Sequence, residues 1–448
     1  MKKIFAAIFI FVIFLSFNNG FNSIRTVRAN TITVPDDYPT IQVAIARATD
    51  GDTVFVKNGV YYTSDNNLII IDKTISLIGE DPEKTIITGL FTPYIASTPA
   101  IRVAAPNVTI SGFTITNCRI AIAIANYYEE SFPSGCKIIY NNIVNNSEGI
   151  RPLRSDLLIY GNNITNNQQG ITGWNTENII ISGNNIAHNG KGVNIGICRN
   201  ITVSENCIFN NTGGLDLVYY GPHFVYGNNI TNNDWGIRFA EGCANAEVYG
   251  NIINQNNAGI VLLIFPNEGD IVVSGVGNKV FGNFFIDNSE QVIQNEREFV
   301  NIDMSWSKGT DFVLWDNGTV GNYWNNYNGT DLDHNQVGDS PYIIDENNQD
   351  NYPLMSFISI SQWNIEYRGF YIQKVDNSYI VSENLLETYI SPLFSTIEEA
   401  KEWIATGPTT TPNPATEFPT LIIIISVAIL TIIGFGIFAY FKKYRRKN

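Results

Sequence analysis

Between residues 140 and 260 the chain places apolar and polar positions in a register that returns every 21 to 23 residues. An isoleucine falls at Ile143, Ile164, Ile186, Ile208, Ile230 and Ile253. Five residues earlier stand Ile159, Ile181, Val203, Val225 and Val248, and seven later Ile150, Ile171, Val193, Leu215, Ile237 and Ile260. These columns are wholly apolar and predict inward positions. The two positions after each isoleucine and its neighbour are polar, mostly Asn-Asn, and a glycine follows at Gly149, Gly170, Gly192, Gly214, Gly236 and Gly259. So steady a period marks a solenoid with one supersecondary unit per repeat. Its short β-branched runs, punctuated by Asn and Gly, predict strands joined by tight turns. The longer period and 3.6-residue spacing of helical repeats are absent. The asparagines read as scaffold that stacks between coils and tolerates left-handed backbone, and the glycines read as turn residues.

The ends of the pattern differ. "TIQVAIARA", from Thr40 to Ala48, predicts one amphipathic helix placed to cap the first apolar coil, with "DTVFVKNGVY" and "ISLIGED" as early strands. Beyond Met355, "WNIEYRGFYIQKVDNSYIV" predicts two strand-like stretches. "STIEEAKEW" predicts a helix with Ser395 and Glu398 as a capping box. Residues 356–405 therefore read as a small ββα module, an α+β appendage to the solenoid of 30–355.

Residues 1–29 carry Lys2 and Lys3, an apolar run and Val27 and Ala29 at cleavage spacing, the pattern of a secretory signal peptide. Residues 406–420 are a Pro/Thr linker, and 421–441 are apolar for about 21 residues, long enough to cross a bilayer. The basic tail 442–448 places the C-terminus in the cytoplasm and the ectodomain outside, as a single-pass cell-membrane protein. All 42 acids lie between these segments, as do 18 of the 27 basic residues, a balance of −24. Such a surface disfavours nucleic acid. Of the five cysteines, Cys198 and Cys243 share a column two coils apart, about 9.6 Å and beyond disulfide reach. Cys118 and Cys136, which bracket an inter-coil segment, are the one pair the spacing allows.

The opening, "SLIGE" and the Asn-Gly words resemble right-handed parallel β-helix proteins of the pectin-lyase-like class, over roughly residues 31–355. "GNYWNNYNGTDLDHNQVGDSPYIIDENNQDNYPLM", Gly321 to Met355, is similar to the end of NosD-type proteins, described as copper-binding or as carbohydrate-binding and sugar-hydrolase (CASH) domains. The resemblance implies an all-β right-handed helix and raises copper and carbohydrate as ligands.

Three sites follow as candidates. In "DLDHNQVGD", Asp331, Asp333, Asn335 and Asp339 alternate as hard oxygen donors, a set suited to Ca²⁺; the alternative is a solvated acidic turn. The loop resembles repeated-aspartate calcium loops, but has Gln336 where they have glycine. Copper fits the composition poorly, because the chain holds three Met and only His188, His223 and His334, with no spacing that gathers them. His188 falls in a turn column and His223 in the inward column of Leu157, Ile179 and Ile201. Finally, the outward column after each glycine reads Arg151, Thr172, Asn194, Asp216, Arg238, and the next reads Leu153, Trp174, Gly196, Val218, Ala240. Arg154, Tyr219 and Glu241 lie just beyond. Arg151, Trp174, Asp216, Tyr219 and Arg238 together suit a glycan. Hydrolysis needs two carboxylates at ~5–9.5 Å, and Asp216 and Glu241 fall about 11 Å apart by coil and strand spacing, so no catalytic residue is assigned. The sequence thus leans to a non-catalytic surface protein with a binding or structural role, contacting glycans. The alternatives are a carbohydrate-active enzyme and a NosD-like copper-delivery accessory.

Overall fold

The computed structural model describes residues 29–356, apart from 65–67, 90–98, 125–132, 154–155, 268–269, 274–276, 297–312 and 346–347. It also describes strands at 364–367, 370–375 and 378–382. The signal, linker, membrane-span and tail readings lie outside these residues, as does the helix read at "STIEEAKEW". Among the described residues no helix is long and apolar enough to cross a membrane. The chain divides into a unit of 1–357 and a second of 358–448.

The first unit is a parallel β-helix. Among the described residues three sheets of 11 strands run along it; a regular coil contributes one strand to each, and Asp270–Val273 joins the third as an antiparallel hairpin strand. The first sheet runs from Thr31–Val34 to Lys279–Phe281, and the second from Gly59–Thr63 to Tyr323–Trp324. The third includes Gln169–Trp174, Lys191–Gly196, Gly213–Tyr220 and Trp235–Cys243. The inward columns stack as the sequence predicts. Ile164 pairs with Ile186, Ile186 with Ile208 and Ile208 with Ile230, and all are fully buried. Helix Ile41–Arg47, capped by Thr40 accepting from the Val43 N–H, packs Ile41, Ala44 and Ile45 into the same core. In the second unit three antiparallel strands form a small sheet, where two were predicted.

The repeated polar letters have distinct tasks. Two ladders of buried asparagines run along the helix. One passes from Asn141 through Asn162, Asn184, Asn206, Asn228, Asn251 and Asn283 to Asn322. The other runs from Asn146 through Asn167, Asn189, Asn211, Asn233 and Asn256 to Asn288. Each amide oxygen accepts both the backbone N–H and the side-chain N–H of the asparagine one coil earlier, as at Asn184 and Asn206, both 2.9 Å. The ladders satisfy backbone groups at the corners that no sheet reaches.

The residue before every ladder asparagine up to Asn283 and Asn288 takes left-handed backbone: Asn166 at φ 58°, His188 at 56° and Asn210 at 54° on one corner, Gly161 and Gly183 at 63° on the other. The glycines of the Gly170 column are not turn residues, contrary to the expectation. They lie inside strands without positive φ, and a Cβ on Gly192 would sit 2.7 Å from the Gly214 carbonyl oxygen. Close stacking of coils, not a turn, requires glycine there.

The long C-terminal motif closes the helix. Asp350 is fully buried and takes the place of the next ladder residue. It accepts from the Asn322 N–H at 2.6 Å, the Trp324 indole at 2.8 Å and the Tyr352 N–H at 3.0 Å. Trp324 stacks on Phe285 with ring centroids 4.3 Å apart, extending the core column by one aromatic layer. All five cysteines are free thiols. This overturns the Cys118–Cys136 pairing: their thiols donate instead to the Thr116 and Ala105 carbonyls. Burial pushes Cys118 and Cys243 up to about 12, so both stay protonated.

Candidate functional site

The third sheet presents its outward columns in the predicted register. Thr172 pairs with Asn194, Asn194 with Asp216, and Asp216 with Arg238; Trp174 pairs with Gly196, Gly196 with Val218, and Val218 with Ala240. The sequence reading omitted a third column, at the strand starts: Glu148, Gln169, Lys191, Gly213, Trp235, Ala258 and Glu290.

That omitted column supplies two partners of Asp216, Lys191 and Trp235. Its carboxylate is only 1% exposed and lies 3.1 Å from the Lys191 amine and 2.5 Å from the Arg238 guanidinium. The Trp235 indole donates to it at 2.7 Å. Arg238 in turn lies 4.4 Å over the Trp235 ring. Two cations, one indole N–H and one carboxylate thus form a closed cluster in which the buried charge is matched. Asp216 pairs with Arg238, its neighbour one coil on in the same column. Asp216 is not a free groove carboxylate, because Lys191 and Trp235 cover it.

Arg151 is held by Glu148, its Nε donating to Oε2 at 2.6 Å and a terminal nitrogen to Oε1. Trp174 is 39% exposed, and its ring lies over Gly196, where a Cβ would sit 2.6 Å from the indole. Tyr219 takes φ 55° at the irregularity between Val218 and Tyr220. It packs beside Trp235 on a small outer apolar cluster of Val218, Ala240, Val261 and Leu263. The structure therefore brings Asp216 and Arg238 together and leaves Arg151 on its own ion pair. Trp174 lies at the far ends of the strands. Arg154 and the Glu241 side chain lie outside the described residues. The missing signal was the position before each column glycine, which changes residue type in every coil and so escapes a search for repeats.

In the acidic loop, the carboxylates serve the loop's own backbone. Asp331 accepts from the Asn335 and Gln336 N–H groups, both at 3.0 Å. Asp333 accepts from the Asn335 side chain at 2.9 Å, and Asp339 from the Leu332 N–H at 2.8 Å. Asn335 accepts from the Val337 N–H at 2.7 Å. Gln336 adopts φ 71°, the conformation that makes glycine the usual residue there. Among the described residues no three His, Cys, Asp or Glu side chains gather as a metal-holding group.

A bound Ca²⁺ would raise stability by ~2.7 kcal/mol at a hundredfold excess over its dissociation constant. A self-bonded loop predicts one melting temperature with and without calcium, and the same fall for Asp339→Ala in both. Calorimetry at matched ionic strength checks this; a rise in calcium that Asp333→Ala removes would establish the metal site instead.

The three histidines have separate surroundings: His188 on an exposed turn, His223 in the core of the first sheet and His334 on the exposed cap loop.

Residues 107–329 match the family model described as "Periplasmic copper-binding protein (NosD)". The chain is a parallel β-helix protein similar to NosD over that segment. The matched coils include both ladders and the third-sheet cluster and end before the acidic loop. No curated protein sequence matches the chain. Among solved structures, the A-module of mannuronan C-5 epimerase AlgE6 from Azotobacter vinelandii is 17% identical over 63% of this chain and 89% of its own, with a TM-score of 0.45. The periplasmic alginate epimerase AlgG is 16% identical over 63% and 77%, with a TM-score of 0.41. An alginate lyase from Paenibacillus sp. is 14% identical over 57% and 94%, with a TM-score of 0.42.

Proposed function

We propose that this is a β-helix protein of the cell exterior that binds glycans on the outer face of its third sheet and does not cleave them. The Asp216 cluster carries the reading. A carboxylate 1% exposed and held by Lys191, Arg238 and the Trp235 indole is closed off from a substrate and serves to fix its neighbours. The same contacts fix a flat platform of ring and guanidinium. Around it three cations (Arg151, Lys191, Arg238) meet two acids (Glu148, Asp216), a local excess of positive charge on an acidic chain. Exposed Trp174 adds a stacking surface for a sugar ring. The apolar segment 421–441 and the basic residues after it support anchoring in the cell membrane with the β-helix outside.

Protease added to intact cells should then release a fragment ending in the 406–420 linker. That fragment should be retained on immobilised polysaccharide. Trp174→Ala should weaken retention about tenfold, equivalent to ~1.4 kcal/mol, without new reducing ends or unsaturated products from wild type. Equal retention of the variant, or product release by wild type, would refute the binding reading.

A further inference from the structure

A polar cleft of about 500 Å³ lies between the last coil and the C-terminal motif. Asp287, Glu290 and Gln291 line it from the coil, and Asn325, Asn326 and Tyr342 from the motif. The second asparagine ladder ends in it. The Asn288 side chain donates to Gln291 Oε1 at 2.8 Å, Gln291 Nε2 to Asn325 Oδ1 at 2.8 Å, and Asn325 Nδ2 to Asp287 Oδ1 at 2.7 Å. Each amide in this relay is oriented by its neighbour, so the cleft offers donors and acceptors in fixed directions. Tyr342 is equally fixed, stacked on the buried Trp324 with centroids 4.4 Å apart and an interplanar angle of 13°.

Among the described residues the lining holds two carboxylates, four amides and a serine hydroxyl beside an aromatic ring, and no Lys, Arg or His. A polyanion would meet Asp287 and Glu290 without a compensating cation. A hard cation would meet amide N–H groups as well as oxygens, an unsuitable mixture. Vicinal hydroxyls both donate and accept, and the apolar face of a pyranose suits a tyrosine edge or face. Glu290 stands in the strand-start column two coils beyond Trp235, through Ala258, or roughly 9.6 Å along the helix at one strand spacing per coil.

We propose that this cleft binds a neutral sugar residue, as an end subsite beside the outer face of the third sheet. The inference rests on the cleft's own lining and can stand or fall separately from the reading of the Asp216 cluster.

Isothermal titration of the full chain with cellotriose, xylotriose, mannotriose, maltotriose and a triuronate tests it. At least one neutral trisaccharide should bind and the triuronate should not. Glu290→Gln and Asn326→Ala, both at exposed positions, should each weaken that binding tenfold or more while the melting temperature stays unchanged. Asn185→Ala, exposed on the second sheet and away from both the cleft and the third-sheet face, should leave trisaccharide affinity as it was. The proposal is overturned if no neutral trisaccharide binds, if the triuronate binds as well, or if Glu290→Gln and Asn326→Ala bind like wild type.

Discussion

Asn206→Asp should abolish folding at neutral pH. The Asn206 amide nitrogen lies 2.9 Å from each of three acceptors: the Ile181 and Ser204 carbonyls and Asn228 Oδ1. Its oxygen accepts from the Asn184 N–H and side chain, both at 2.9 Å. A carboxylate would keep the second set and turn the first into three contacts between oxygens, in a site 1% exposed. An uncompensated buried charge costs ~3–5 kcal/mol, against a typical domain stability of about 5–15 kcal/mol. Protonation would relieve the charge, yet a carboxylic acid has one hydrogen where the amide has two, so part of the set of contacts is lost. The variant should therefore be unfolded or nearly so by circular dichroism at pH 7, and recover in part towards pH 4.

Asn210→Asp is the control. That residue is exposed at φ 54°, and Asp287 already occupies the same corner of a later coil at φ 48°. Its melting temperature should stay close to wild type. Equal damage from both variants would show that asparagine serves the turn and not the ladder.

This pair also marks how far the sequence could be read. Apolar columns were legible because every coil repeats the same class of residue at the same offset. Asparagine was legible as scaffold, but adjacent asparagines such as Asn210 and Asn211 have different tasks, one turning the backbone and one joining the ladder. Composition cannot separate them. The Gly170 column was assigned to turns because glycine there and glycine at Gly161 look alike, whereas close stacking demands the first and positive φ the second. Of the third-sheet site, Asp216 with Arg238 was visible as one step between coils. Lys191 and Trp235 were not, since their column holds Glu, Gln, Lys, Gly, Trp and Ala in turn. The terminal cleft joins residues 287–291 to 325–342, a meeting that depends on how the closing motif folds over the last coil and not on any local spacing.

Between pH 4 and 6 two buried groups should pull stability in opposite directions. His223 is fully buried between Ile201 and Ala246, and neither ring nitrogen has a hydrogen-bond partner. Burial lowers it from 6.5 to about 4, against an opposing contribution from the Tyr219 backbone. The folded state therefore favours neutral imidazole. That stability is complete above pH 6.5 and is lost as pH falls through 4, on the order of 3 kcal/mol for a shift of this size. Asp350 behaves in reverse. Burial raises it from 3.8 to about 6, against the three N–H groups it accepts from, and nearby Asp316 adds to the rise. Its contribution is complete below pH 3.8 and is lost as pH rises through 6, again on the order of 3 kcal/mol.

Wild type should accordingly show a shallow stability profile across this range in urea titrations. His223→Leu, which continues the apolar column, leaves Asp350 unopposed, so the variant should gain stability steadily from pH 6 down to pH 4. Asp350→Asn should lose stability outright, because the new N–H₂ faces an N–H that the carboxylate accepted. What remains should then fall further as the medium is acidified. If His223→Leu keeps the wild-type profile, His223 already binds its proton in the folded state, and the apolar surroundings assigned to it are wrong.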